Sequence, residues 1–184
     1  MNDSVTPRSI LEFWYSTALR THWFGGSPHI DTEITERFEP IWLAARDGKL
    51  DDWAQTPEGA LALVIILDQF PLNMYRGKAL SFSTEARSRE IAAQAIAADL
   101  DNHLTSEQKL FLYMPYMHSE SLADQARSIE LFTKAGMREQ LPWAEHHQRI
   151  VQRFGRFPHR NAPLGRASTP EETAWLNSDD GFHG

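Results

Sequence analysis

The longest apolar run of the chain is Ala60-Leu61-Ala62-Leu63-Val64-Ile65-Ile66-Leu67, which would place apolar side chains on every face of a helix. Such a helix has to be surrounded by other elements, so the run predicts a central buried helix. Thr56-Pro57 precedes it and is typical of a helix start, because threonine can cap and proline fits the first helical position. A buried strand is the alternative for so short a run. The Thr-Pro start and the alanine and leucine content favour the helix, and Pro71 is expected to end it.

The same signals predict helices along the rest of the chain. Thr6-Pro7 and Thr169-Pro170 are further helix starts, and Glu171-Glu172 place negative charge where a helix N-terminus favours it. Helical spacing of apolar residues predicts the other helices around residues 10–18, 34–45, 84–98, 107–114, 122–132 and 143–154. We therefore expect an all-α protein of about eight helices and no strands. One domain with its core at residues 7–177 is the natural organisation for this length, and two tightly packed halves are the alternative.

Composition narrows the class of protein. The chain has 184 residues, a formal net charge of −7 and no cysteine. The absence of cysteine excludes disulfide scaffolds, thiol nucleophiles and thiolate zinc sites, and it suits a reducing cytoplasm. The sequence does not begin with a basic segment and an apolar run, and its longest apolar run is far short of the ~20 residues that cross a bilayer. We expect a soluble, cytoplasmic protein with no membrane partner.

Positive charge is concentrated near the C-terminus. Residues 146–170 hold five arginines and three histidines but no Asp or Glu, so the remainder of the chain sums to about −12. Arginine outnumbers lysine 14 to 4, and its planar guanidinium suits bidentate capture of carboxylate or phosphate. The segment predicts a site for an anion, which is either an internal carboxylate or a ligand. The acidic remainder disfavours nucleic acid as a partner.

One histidine lies within the apolar face of a predicted helix. His147 lies on the same face as Ile150, Val151 and Phe154 when residues are placed 100° apart from Trp143. Such a histidine is either a satisfied core residue or a group of a site.

Asp68-Gln69 follows the central apolar run, where a carboxylate would be partly buried and would need a cation. An arginine of the C-terminal segment is the expected partner, in a structural salt bridge or in a site.

His118-Ser119-Glu120 lies at an expected junction between helices, because Pro115 should interrupt the preceding one. Ser119 would cap a helix that begins at Glu120, which leaves His118 as a candidate general acid or base. Three histidines and Glu120 could form a zinc or iron set. Their pairs lack a metal-ligand spacing such as His-x-x-x-His, so we predict no metal and no cofactor.

Several motifs together resemble DUF924, a widespread family of unknown function. They are Leu63 to Pro71, Phe111 to Glu120 and Arg153 to Asn161, with shorter matches at Trp23-Phe24, Asn73 to Gly77 and Leu164 to Arg166. The resemblance spans about Ile10 to Trp175 and implies an all-α fold with a tetratricopeptide-like helical superhelix; it supplies no reaction. The family usually has arginine where this chain has Leu72, so one candidate cation is missing, and aspartate where this chain has Glu85.

We weigh three functions for these residues. The first is a small-molecule site for an anionic ligand, in which Arg156 and Arg160 clamp the anion, His118 or His159 moves protons, and Trp23 and Phe24 form a wall. The second is an interaction module whose groove clamps an acidic or C-terminal peptide. The third is an internal staple with no ligand. The candidate catalytic residues are His118, His159 and Asp68, and the candidate ligand-binding residues are Trp23, Phe24, Gln69, Tyr75, Arg76, Glu120, His147, Arg153, Arg156, Arg160 and Asn161. The sequence leaves the oligomeric state open.

Overall fold

The computed structural model describes residues 5–181, and over this range the chain is all-α. The described residues form two compact units, the first made of residues 5–76 and 80–115 and the second of residues 77–79 and 116–181. The predicted fold class is confirmed. Within the described part of the chain, no helix combines the length and the apolar character needed to cross a bilayer.

The first unit is built around the predicted central helix. Its α-helices are α1 (Pro7–Trp14), α2 (Thr17–Arg20), α3 (Pro28–Arg46), α4 (Pro57–Val64), α5 (Phe70–Met74), α6 (Glu85–Ala97) and most of α7 (Ser106–Met117). Helix α4 packs against α1 and α6, and residues 59–64 are buried. The hydroxyl of Thr56 caps α4 by accepting a hydrogen bond from Gly59 N at 3.1 Å. The Thr-Pro pair therefore starts the helix as predicted.

Pro71 does not end this helix. A π-helical turn, Ile65–Gln69, joins α4 to α5, and Phe70 N donates to Ile65 O. Proline has no N–H, so Leu67 O loses its usual helical donor four residues on. The hydroxyl of Thr84 replaces that donor at 2.6 Å from Leu67 O. The π-helical turn and the Thr84 hydroxyl together allow the helix to continue through Pro71.

Two other helix boundaries differ from the predicted ones. The first predicted helix is divided into α1 and α2, because Ser16 starts a new helix by accepting from Leu19 N at 3.3 Å. Pro115 lies inside α7 and does not interrupt it. The Ser16 cap is a local hydrogen bond that the apolar pattern does not show.

The second unit contains α8 (Leu122–Lys134), α9 (Leu141–Phe154), a 3-10 turn (Pro158–Arg160) and α10 (Pro170–Leu176). Helices α8 and α9 pack together, and an apolar cluster forms from Ile150, Val151, Phe157 and Trp175. Thr169 caps α10 in a reciprocal capping box with Glu172. The third Thr-Pro start is therefore confirmed.

Two predictions for this unit need correction, one about a helical face and one about a helix cap. His147 is on the buried face of α9 as expected, but Trp143 is 62% exposed, so it is not part of that apolar face. Ser121, not Ser119, caps α8, and the Ser119 hydroxyl instead donates to Asp124 Oδ2 at 2.5 Å. Glu120 therefore lies before the helix, and its carboxylate is available for tertiary contacts.

Candidate functional site

The predicted site residues divide between the two units, and each group has its own surroundings. Six of them lie in the first unit: Trp23, Phe24, Asp68, Gln69, Tyr75 and Arg76. Eight lie in the second unit: His118, Glu120, His147, Arg153, Arg156, His159, Arg160 and Asn161.

Asp68 and Gln69 belong to the π-helical turn and are both buried. Gln69 Nε2 donates to Asp68 Oδ2 at 2.5 Å and lies 3.3 Å from Met114 Sδ. A π turn inside an α-helix frequently marks a functional position. Here it places a carboxylate and an amide side by side in a buried environment.

Tyr75 and Arg76 are each hydrogen-bonded to a carboxylate of helix α3, within the first unit. The Tyr75 hydroxyl donates to Glu39 Oε1 at 2.8 Å, and burial together with this carboxylate raises the pKa of Tyr75 to about 12. Arg76 forms two hydrogen bonds to Asp31, at 2.8 and 2.9 Å. Both side chains therefore join α3 to the end of α5.

Trp23 and Phe24 occupy different environments although they are adjacent. Trp23 Nε1 donates to Trp14 O at 3.0 Å, and its ring lies 4.7 Å from that of Phe111. Phe24 is 77% exposed. Trp23 is part of an aromatic cluster, whereas Phe24 is available at the surface.

In the second unit, Glu120 is held by a bidentate ion pair. Arg166 Nη1 and Nη2 donate to the two Glu120 oxygens at 2.7 and 2.8 Å, and Phe157 N donates to Glu120 Oε1 at 2.8 Å. Burial raises the pKa of Glu120, but these hydrogen bonds outweigh it and the pKa lies below its usual value. The contact ties the segment before α8 to the segment after α9. Arg166 was not among the predicted ligand-binding residues, and the Leu164 to Arg166 motif was its signal.

Glu172 forms the second anchor. Arg156 Nε and Nη2 donate to it at 2.7 and 2.8 Å, Asn161 Nδ2 donates at 3.2 Å, and Thr169 N donates at 2.7 Å. The hydrogen bond from Arg156 is the main reason that the pKa of Glu172 falls to about 2. Arg156 therefore has an internal carboxylate partner. Its predicted ligand-binding role stays a prediction.

Arg153 differs from Arg156 because its ion pair is at the surface. Its Nε lies 3.0 Å from Glu171 Oε1, and both side chains are more than half exposed. Exposed pairs of this kind contribute ~0–1 kcal/mol to stability.

The remaining cationic and imidazole groups surround the ring of Phe157, which is fully buried. The rings of His147 and His159 each have their centroid 5.6 Å from that of Phe157. The buried guanidinium of Arg160 lies over the same ring at 4.8 Å. His118 is close enough to both histidines to affect their pKa values. We call His118, His147, His159 and Arg160 the Phe157 cluster.

Two histidines of this cluster, His147 and His159, are neutral at physiological pH. Burial is the first cause that lowers the pKa of His147 to about 4 and that of His159 to about 3, and the charge of Arg160 acts in the same direction. His147 Nδ1 lies 2.8 Å from Trp143 O. A carbonyl only accepts, so Nδ1 carries the proton and Nε2 carries the lone pair. The cluster combines one permanent cation with neutral imidazoles that can take up protons.

Among residues 5–181, no group of three or more His, Asp or Glu side chains is placed to hold a metal ion.

Fold and side chains thus define an all-α protein with a buried arginine and histidine cluster. The chain belongs to the DUF924 family, whose model, described as a bacterial protein of unknown function, matches residues 10–180. It is similar to a solved structure, the protein of unknown function ATU0120 from Agrobacterium tumefaciens, with 38% identity and a TM-score of 0.88. That similarity covers 93% of this chain and 96% of the other. No curated protein matches the chain significantly.

Proposed function

We propose that the protein binds a small anion, a carboxylate or a phosphate, at the Phe157 cluster. The observation that carries this proposal is a buried guanidinium and two neutral imidazoles gathered around one buried ring. Arginine is charged at every physiological pH. The low pKa values of His147 and His159 keep their imidazoles neutral until an anion binds. The cluster attracts negative charge and offers several polar atoms to it.

Each group of the Phe157 cluster has a different role in this proposal. Arg160 supplies the charge and a planar fork for two oxygens. His159 and His118 are only half-buried, and the proposed approach of the anion is past these two rings. His147 is more deeply buried and presents Nε2, since its Nδ1 proton is shared with Trp143 O.

An anion beside the imidazoles favours their charged form, so binding raises the pKa values of His147 and His159. The protein then takes up protons as the anion binds, and by linkage the anion binds more tightly as the pH falls. A site of this kind could also move a proton to or from its ligand, which is the enzymatic form of the proposal. Asp68 in the π-helical turn remains a candidate for that role in its own unit.

In this proposal, the ion pairs of Arg166 with Glu120 and of Arg156 with Glu172 position the segment that carries the cluster. Arg160, whose guanidinium lies over the ring of Phe157, is the proposed ligand contact. The ligand-binding role predicted for Arg156 stays a prediction. The acidic-peptide clamp is the alternative, and in the second unit the exposed Arg153 is the predicted residue that would suit it.

A tetratricopeptide-like arrangement and a cytoplasmic location are part of the proposal. The packed pair α8 and α9, joined by residues 135–140, is a helical hairpin of the kind that such superhelices stack. The absence of cysteine suits a reducing compartment.

Titration with sulfate and acetate, followed by amide NMR shifts, tests the anion site. We expect saturable shifts centred on residues 157–161, and Arg160→Lys should weaken binding by about tenfold because lysine lacks the bidentate fork. Arg153→Lys is the matched control and should bind as the wild type does. Unsaturable shifts, or equal weakening by both substitutions, would contradict the proposal. Saturable binding of an acidic peptide that sulfate fails to displace would favour the clamp instead.

A further inference from the structure

The first unit contains an open groove that the anion site does not use. Its volume is about 610 Å³, within the ~300–1,000 Å³ of ligand pockets. The groove lies between the start of α4, the 3-10 helix Leu100–His103 and the start of α7. Three separate segments of the chain therefore meet around it.

The groove has an apolar part and a polar part. The apolar lining is Pro57, Leu100 and Leu104, of which Leu104 is buried. The polar lining includes Glu58, His103 and Gln108. A ligand that fits has an aliphatic body and a polar end.

The polar groups of the groove have capacity for a ligand. In the described part of the chain, the carboxylate of Glu58 forms no ion pair. Arg8 lies near enough for its pKa to respond to Glu58, yet its guanidinium is bound to Glu12 at 2.8 Å. Gln108 Oε1 accepts from Thr105 N at 2.9 Å, which commits its oxygen to the cap of α7 but leaves its NH₂ group for another acceptor.

Charge decides which polar end the groove prefers. The described residues of the first unit include 15 Asp and Glu but nine Lys and Arg, whereas the second unit has nine of each. The net negative charge of the molecule is therefore carried by the unit that contains the groove. A cation is attracted to this surface, and Glu58 is the carboxylate that lines the groove.

We propose that this groove binds an organic cation, a primary ammonium group on an aliphatic chain. In this arrangement Glu58 holds the ammonium group, and the aliphatic chain lies on Leu100 and Leu104. His103 lines the same groove and offers a ring nitrogen to the remaining N–H groups. The site is independent of the Phe157 cluster, since its lining residues all belong to the first unit.

Three six-carbon probes with the same body and different ends test the proposal: hexylamine, hexanol and hexanoate. Amide NMR shifts should show saturable binding of hexylamine with the changes centred on residues 100–108. Hexanol should bind about tenfold more weakly, because it lacks the charge-assisted hydrogen bond. Hexanoate should not bind.

Glu58→Gln should reduce the affinity for hexylamine to that for hexanol. Because Glu58 also lies in the first turn of α4, Glu171→Gln is the matched control: it removes a first-turn carboxylate from α10 and should leave binding unchanged. A circular dichroism spectrum and a melting curve confirm that both variants fold. Equal affinity for hexylamine and hexanol, an unaffected Glu58→Gln variant, or shifts scattered over the acidic surface would overturn the proposal.

Discussion

The hydroxyl of Thr84 is expected to be one of the most important single polar groups for the stability of the first unit. It is buried and serves two partners: it donates to Leu67 O at 2.6 Å and accepts from Trp42 Nε1 at 3.2 Å. Leu67 O lacks the helical donor four residues on because Pro71 has no N–H. Thr84→Val keeps the shape of the side chain and removes the hydroxyl that both partners use.

Each unsatisfied buried group costs about 1–3 kcal/mol, and the added methyl group of valine offsets part of the sum. We therefore expect Thr84→Val to lower the free energy of unfolding by about 2–4 kcal/mol. For a chain of this length, this corresponds to a fall in Tm of roughly 5–15 °C. Urea denaturation followed by circular dichroism measures the first quantity, and a thermal melt measures the second.

Thr35→Val provides the matched control. Thr35 also donates to a backbone carbonyl, Asp31 O at 2.7 Å, but that carbonyl lies within α3 and keeps its helical donor. We expect a change of less than about 1 kcal/mol there. Pro71→Ala should recover about 1 kcal/mol in the Thr84→Val background, because it restores an N–H opposite Leu67 O. If Thr84→Val cost no more than Thr35→Val, the account of the π-helical turn would be refuted.

Three further predictions concern the second unit. His147 is neutral when folded, with a pKa of about 4, but titrates near 6.5 when unfolded. The unfolded state therefore binds more protons, and His147 should lower stability by up to about 2 kcal/mol as the pH falls from 6.5 to 5. Urea denaturation at several pH values measures this loss, and His147→Asn should reduce the pH dependence but leave the part that comes from His159. Glu120→Gln should destabilise the protein by about 1–3 kcal/mol. A double-mutant cycle of this substitution with Arg166→Met should give a coupling energy of about 1–2 kcal/mol. Additive effects of the two substitutions would show that the pair does not act as an anchor. Arg153→Met should change the free energy of unfolding by less than about 0.5 kcal/mol, since its pair with Glu171 is exposed, and a larger effect in the same denaturation assay would contradict this.

The fold could be predicted from local chemistry where one segment contains its own explanation. The Thr-Pro starts at Thr6, Thr56 and Thr169 are all capped by the predicted hydroxyl. The apolar run at residues 60–67 is buried as its composition requires. Continuation through Pro71 could not be predicted, because it depends on Thr84, which is 17 residues away from Leu67.

The sequence could indicate which residues to consider for the candidate site but not their contacts. The charge segregation in residues 146–170 predicted an anion for the arginines, either an internal carboxylate or a ligand. It could not show that Glu120 pairs with Arg166, 46 residues along the chain, while Glu172 pairs with Arg156. Periodicity placed His147 on the buried face of α9, but the contact of its ring with Phe157 depends on the turn after α9.

Calorimetric titration of the protein with sulfate at pH 6, in two buffers of different ionisation enthalpy, tests the central claim most directly. Sulfate does not titrate near this pH, so any proton taken up on binding goes to the protein. We predict net proton uptake that rises as the pH falls and that is reduced in a His147→Asn, His159→Asn double variant. Binding without proton uptake, or no binding to the folded wild type, would contradict an anion site at the Phe157 cluster.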